Sequence, residues 1–435
     1  MPYEHSGQKK ALLDTLRYFG VLAMLATILF SLLNLNSYFI ILVLFLTLID
    51  GNWKQNLYKT FTNPVFVSFL LIFLTECLGL LYNHDMKAGL KKVESSAGLI
   101  AIPFMLITGR QFFSSRYISI MKIYCILLLI STLICIGYAS YQYQLTNNIE
   151  VFFYHELLRP INHHAVYFSV FLNIGIVYLI SNGFKTTFIH NRKTSVITSI
   201  LITWFFCFVL LLASKLMIVA TILIIIVLLA GKLIRQKNKA LLLTLTVASM
   251  ILMMVLLTID NPIKKRFTDI FTGNAILFRE QTFTTNTYFN GLQFRLLIWK
   301  FGTEIIREKN AIVFGVSPGD AQMLLNEKYR QANMYLGDVQ RKDKGYLNYN
   351  FHNQFIQSLV ESGLTGLLLL AVNVSILFYL ILNRYQRESV TVMLLIFLFF
   401  LTESVLERQY GIFLFTFFPL FQLYRLKSND EDLKR

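Results

Sequence analysis

The chain has 435 residues, 55% of them hydrophobic and only 15% charged, with 39 phenylalanines and a mean hydropathy of +0.57. Soluble domains carry about 25% charged residues, so composition excludes a string of soluble domains and predicts an all-α polytopic membrane protein. The formal charge of +16 could suit a nucleic acid, but in such a chain basic residues record orientation and contact with membrane lipids, and no nucleic-acid partner is expected.

A span needs roughly 20 mostly apolar residues, fewer inside a bundle. Twelve are predicted, at about 13–33, 37–50, 64–82, 94–109, 117–139, 165–182, 195–213, 216–231, 240–259, 363–382, 389–405 and 409–425. With the N-terminus in the cytoplasm, twenty of the 40 basic residues fall on the inner side, six fall in short outer loops, Lys122 lies near an inner helix end and thirteen fall in one long loop. Long loops translocate largely regardless of charge, so twenty against six places both termini inside. Residues 1–259 then carry spans one to nine, 260–352 form a large outer loop, 353–425 carry spans ten to twelve, and 426–435 are a cytoplasmic tail. Within the loop, 292–308 is amphipathic and 319–333 reads as a second helix, so a small folded cap is expected. The first apolar run lacks a small-residue cleavage site, so no cleavable signal is expected. Cys77, Cys125, Cys135 and Cys207 sit in apolar runs without metal-site spacing and read as small packing groups.

Five of the seven histidines, His84, His155, His163, His164 and His352, fall on the outer side in this topology. Together they point to an outer polar site rather than to scattered interface residues, though none has metal-ligand spacing. The adjacent pair His163 and His164 must point in different directions. Outer cations accompany them. Lys215 lies at the tight turn between two spans, where a charge either snorkels or binds an anion. Arg295 and Trp299, one turn apart on the amphipathic loop helix, put a cation and an aromatic on one face. That pair suits a phosphate beside a sugar, or docking of the cap on the membrane. Arg159 precedes Pro160 as a third outer cation. Guanidinium matches phosphate oxygens bidentately, so several such cations around one cavity would hold a pyrophosphate without a metal.

Some apparent motifs carry nothing. Gly315-Val-Ser-Pro-Gly319 fits the GxSxG nucleophile pattern, but that motif needs a strand, turn and helix in a sheet; here it reads as a tight turn. Asp430-Glu431-Asp432 sits in a charged tail. No GxxxxGK[ST] is present, which argues against ATP as substrate or fuel. The most informative stretch runs from Phe351 to Gly366, FHNQFIQSLVESGLTG. His352 lies where the chain re-enters the membrane, a place where a general base can be partly desolvated yet meet a soluble substrate. Gly363 and Gly366 permit a break or close packing before the span proper.

These residues resemble the bacterial O-antigen ligase and polymerase superfamily. The resemblance rests on Phe294-Arg-Leu-Leu-Ile-Trp299, the Gly315–Gly319 turn, and the run from His352-Asn353 through Glu361-Ser-Gly363 to Gly366. The stretches from Asn162 to Ser169, holding His163 and His164, and from Glu403 to Arg408 also match. It implies a GT-C-like glycosyltransferase with about twelve spans and a large periplasmic loop between the ninth and tenth. Such enzymes are metal-independent and inverting, need no cofactor, and work at the periplasmic face of the inner membrane. A ligase moves glycan from undecaprenyl pyrophosphate to the lipid A core oligosaccharide. Carried onto this chain, the resemblance makes His352 the residue that activates or orients the acceptor hydroxyl. Arg295, Lys215 and Arg159 would bind the donor pyrophosphate, and His163, His164, Asn353, Trp299, Glu403 and Arg408 would support them. Many members have Ser-Arg where this chain has Ser214-Lys215, which keeps the charge but loses the fork. An O-antigen polymerase, which extends lipid-linked glycan, is the nearest alternative. A polysaccharide or lipid transporter is the other, although no repeated half or matched pair of broken helices is visible.

Overall fold

The computed structural model describes residues 2–49, 53–183, 192–235, 264, 268, 280–338, 343, 345–384 and 386–425, and among these regular structure is helical. The expected span at 240–259 and the tail 426–435 lie outside the described residues. The first helices are α1 (Pro2–Leu29), α2 (Leu33–Leu48) and the short α3 (Trp53–Phe61). Helix α4 (Pro64–Gly79) starts sharply: Pro64 occupies its first turn and the Asn63 side chain accepts the Val65 N–H at 3.0 Å. The expected span 94–109 is divided. Residues Met86–Ser96 form the polar helix α5, and only Gly98–Thr108 (α6) is apolar throughout. Eleven residues rise only about 16 Å, well short of a bilayer core. Conversely, α7 (Arg110–Thr146) runs 37 residues, well beyond the expected 117–139.

Helix α8 (Ala165–Tyr178) ends in a π turn, Leu179–Gly183, and is followed by α9 (Arg192–Leu211) and α10 (Lys215–Arg235). The loop contains α11 (Gly291–Glu308) and α12 (Ala321–Gln331), and the chain closes with α13 (Gln354–Asn383), α14 (Arg387–Phe400) and α15 (Gln409–Leu423). Among the described residues, five stretches are long and apolar enough to cross a membrane: Lys10–Leu29, Pro64–Tyr82, Arg110–Thr146, Ala165–Asn182 and Gln354–Asn383; four shorter apolar helices join them. The chain is therefore built as a polytopic membrane protein. Helices α8 and α15 are buried over essentially their whole length and form the centre of the main core, where Phe171, Phe413, Phe417 and Phe418 interlock. An apolar cavity of about 870 Å³ lies among α2, α3, α4 and α6, lined by groups such as Leu44, Phe61, Leu70 and Phe104.

The cap has its own small core. Phe294, Leu297, Ile298, Phe301, Leu325 and Tyr329 fill the space between α11, α12 and the start of α13. The amphipathic period of 291–308 creates this, since one face of α11 is apolar and must be covered. Its N-terminus is set by Asn290 and Gln293, which satisfy each other's backbone N–H in a capping box.

Two glycines seat the cap on the membrane helices. The segment 312–317 pairs with 360–365 through four backbone bonds: Val316 N to Val360 O, Ser317 N to Glu361 O, Leu364 N to Ile312 O and Thr365 N to Val313 O. Helix α13 breaks there, at Gly363, with φ +65°, facing Gly315 with φ +73°. A Cβ on Gly363 would lie 2.3 Å from the Val313 carbonyl, and one on Gly315 would lie 2.4 Å from the Glu361 carbonyl carbon. The Gly315–Gly319 run is thus a docking turn. Beyond it, the buried Asp320 carboxylate accepts the N–H groups of His84 and Asp85 at 3.0 and 2.9 Å, and Ser317 Oγ donates to Asn83 Oδ1 at 2.5 Å.

Candidate active site around Glu403

Glu403 lies in the short turn between α14 and α15, its side chain 6% exposed. A carboxylate removed from water needs compensating donors, and two come from the cap side. His352 Nδ1 stands 3.0 Å from Oε2, and Arg295 Nη2 stands 3.4 Å from Oε1. Burial alone would push the Glu403 carboxyl up, but the hydrogen bond from His352 and the nearby Arg295 guanidinium outweigh it and hold the group below its ordinary value. A carboxylate that accepts from Nδ1 assigns the imidazole proton to that nitrogen and leaves the Nε2 lone pair free to take a proton.

The local chain holds His352 firmly. Its backbone is left-handed, φ +45°, a conformation costing about 1–2 kcal/mol in a non-glycine residue. The cost is offset by bonds on both sides. Asn350 Oδ1 accepts the His352 N–H at 3.1 Å, and Trp299 Nε1 donates to the Phe351 carbonyl at 2.9 Å. Asn353 caps α13 by accepting the N–H groups of Phe355 and Ile356, while its Nδ2 donates to the Leu401 carbonyl at 3.2 Å. Asn353 therefore ties the His352 segment to the turn carrying Glu403. The imidazole is 19% exposed and lies tilted against Tyr349, ring centres 5.8 Å apart.

Arg295 is only partly committed. Its Nε donates to the Thr402 carbonyl and its Nη1 to the Gly291 carbonyl, both at 3.3 Å. Guanidinium has five N–H donors, so with the side chain 31% exposed, donors remain for an anion outside the protein. Trp299 spends its indole N–H on the peptide before His352. The pairing of Arg295 and Trp299 on one helical face is real, and both side chains serve one locus.

The other expected residues divide. His164 falls beside this site, feeling the Glu403 charge, with its ring against His155 and Tyr167. Burial, the largest influence, pushes its imidazole down to about 3, so it is neutral near pH 7. His163 points the other way, as adjacent residues must, and packs on Tyr410 at 4.3 Å; burial lowers it to about 3 as well. Arg408 sits 6.0 Å above the Tyr167 ring, and the Tyr167 hydroxyl donates to the Ser404 carbonyl at 3.3 Å. Arg159 lies away from the cluster's bonds, 67% exposed and 3.8 Å from Glu156. Lys215 opens α10 after a break at Ala213, φ +49°, and is half-buried; no described bond links it to Glu403 or His352. Among the described residues no three His, Cys, Asp or Glu side chains converge as metal ligands.

Sequence reasoning missed a neighbouring polar group. Lys92 of α5 is buried among Glu361, at 3.6 Å, and Glu407, which it contacts directly, close to Glu76 of α4. The available signal was a glutamate inside an apolar span, which needs a partner.

Comparison with curated proteins gives no match. Residues 200–371, less than half of the chain but including Arg295, Trp299, His352 and the break at Gly363, match the family model described as O-antigen ligase.

Proposed function

We propose that the protein is an O-antigen ligase: a metal-independent, inverting glycosyltransferase that moves glycan from undecaprenyl pyrophosphate to the lipid A core oligosaccharide at the periplasmic face of the inner membrane. The observation that carries this reading is the Glu403 carboxylate shared by His352 and Arg295. It couples a base with a free Nε2 to a cation with spare donors, which is what displacement of a pyrophosphate by a hydroxyl requires.

In this reading the acceptor hydroxyl gives its proton to His352 Nε2 as its oxygen attacks the anomeric carbon. The bond from that carbon to the pyrophosphate oxygen breaks, and the electron pair leaves with the pyrophosphate. Attack on the face opposite the leaving group inverts the centre. Charge grows on the departing oxygens, where Arg295 stabilises it more in the transition state than in the ground state. Lys215 and Arg159 are further candidates for the donor pyrophosphate, and Arg408 and His164 flank the acceptor side. The sugar pyrophosphate is already activated, so no nucleotide site is needed.

The test is transfer by purified protein from undecaprenyl-pyrophosphate-linked glycan to rough lipopolysaccharide, with EDTA and without ATP. Glycan on the lipid A core, lost in His352→Ala and Arg295→Ala variants that still insert, supports the reading. Glycan lengthening on its own lipid carrier would establish a polymerase instead. Movement of lipid-linked glycan with no covalent product would establish a transporter.

A further inference from the structure

The reaction as proposed leaves one buried amide unexplained. Gln357, one turn into α13, is almost fully buried and makes three hydrogen bonds. Its Oε1 accepts the Ser404 hydroxyl at 2.9 Å and the Phe351 N–H at 3.4 Å, and its Nε2 donates to Glu361 Oε1 at 2.8 Å. Phe351 immediately precedes His352, and Ser404 immediately follows Glu403. One side chain therefore clamps the two backbone segments that present the base and its carboxylate.

The orientation of that amide is determined by chemistry. Phe351 N–H can only donate, so the oxygen must face it; the Glu361 carboxylate accepts, so the nitrogen must face that. Glu361 is itself held, its Oε2 lying 3.6 Å from Lys92 Nζ, which also contacts Glu407 and the Leu406 carbonyl. The titratable groups around Gln357 are thus Glu361 on its own helix, Lys92 from α5, Glu76 from α4, Glu407 from the turn before α15, and the His352–Glu403 pair. A left-handed histidine persists only where its surroundings over-determine it, and this clamp supplies part of that determination.

The geometry points to Gln357 as a positioning residue for the His352–Glu403 pair, kept in its working orientation by Glu361 and Lys92. This rests on the proposed role of His352 as base. Two readouts test it in the full-length protein. The first is independent of catalysis: the rate at which diethyl pyrocarbonate modifies His352, followed by mass spectrometry with the 86%-exposed His84 as internal standard. In Gln357→Leu the ratio of His352 to His84 modification rises about fivefold, the equivalent of one lost hydrogen bond. An unchanged ratio overturns the assignment.

The second uses Gln357→Glu. Ionised, its carboxylate faces that of Glu361 and transfer falls tenfold or more, by about the cost of a like-charge contact. Protonated, it again donates to Glu361 and accepts from Ser404, so the ratio of variant to wild-type rate climbs as pH is lowered from about 8 to about 6. A merely structural residue would lose activity without this recovery, and a ratio that stays flat with pH counts against the proposal. If wild-type protein transfers no glycan, the proposed reaction fails, while the labelling ratio still decides whether Gln357 positions His352.

Discussion

Replacing Glu403 by Gln removes one negative charge and almost no volume, so it isolates what that charge does. Two contacts depend on it: His352 Nδ1 at 3.0 Å and Arg295 Nη2 at 3.4 Å. Hydrogen bonds to charged groups contribute about 1.5–3 kcal/mol each. The 3.4 Å contact is long and Arg295 keeps its bonds to the Thr402 and Gly291 carbonyls, so the His352 contact dominates. Loss of about 3 kcal/mol in the transition state corresponds to roughly 150-fold in kcat/KM. Glutamine can also donate to Nδ1, which would move the imidazole proton to Nε2 and block the base outright, raising the loss toward 10⁴-fold. The assay is initial-rate transfer of lipid-linked glycan to rough lipopolysaccharide by protein whose gel-filtration profile matches wild type. The loss should fall mainly in kcat. A Glu403→Gln enzyme within about threefold of wild type, less than the worth of a single hydrogen bond, would refute the idea that this carboxylate organises the site.

Three further outcomes are expected. Gly363→Ala and Gly315→Ala should each destabilise the protein by roughly 2–5 kcal/mol, because both need a left-handed backbone and both would drive a Cβ into opposing backbone; unchanged thermal midpoints in detergent would show that the cap is not seated this way. Trp299→Phe keeps the ring but orphans the Phe351 carbonyl, so kcat should fall about fivefold, the worth of roughly 1 kcal/mol, with the donor KM retained; a purely KM effect would instead favour direct contact with sugar. Asp320 titrates below its ordinary value: burial opposes this, but hydrogen bonds from the Asp85 and His84 N–H groups prevail. A folded-state value below the unfolded one contributes stability that is complete above the ordinary carboxyl value and lost as pH falls through the folded one. Thermal stability should therefore drop below about pH 4, and less steeply in Asp320→Asn; identical acid profiles would refute the docking role.

Much of the cap was legible because amphipathic period is a local property. The expected helix at 292–308 appears as Gly291–Glu308, and that at 319–333 as Ala321–Gln331. His352 and Arg295 stand out in the sequence by residue type and place, and the structure brings both side chains to one carboxylate, Glu403. The divided span at 94–109 was not legible, since hydropathy averages over the polar end of α5 and cannot see that Lys92 has carboxylate partners on α13 and before α15. Trp299 was legible only in part. Periodicity placed it beside Arg295, but only the fold reveals that its N–H is committed to Phe351.

Composition, apolar runs and their period thus determine by themselves a polytopic helical chain with two amphipathic helices between its apolar runs, because each depends on neighbours a few residues apart. The joining of Glu403 to His352, 51 residues away, and to Arg295, 108 residues away, belongs to the tertiary structure. A buried carboxylate has no preferred partner until packing decides which donors it meets, and that decision rests here on the backbone pairing of 312–317 with 360–365.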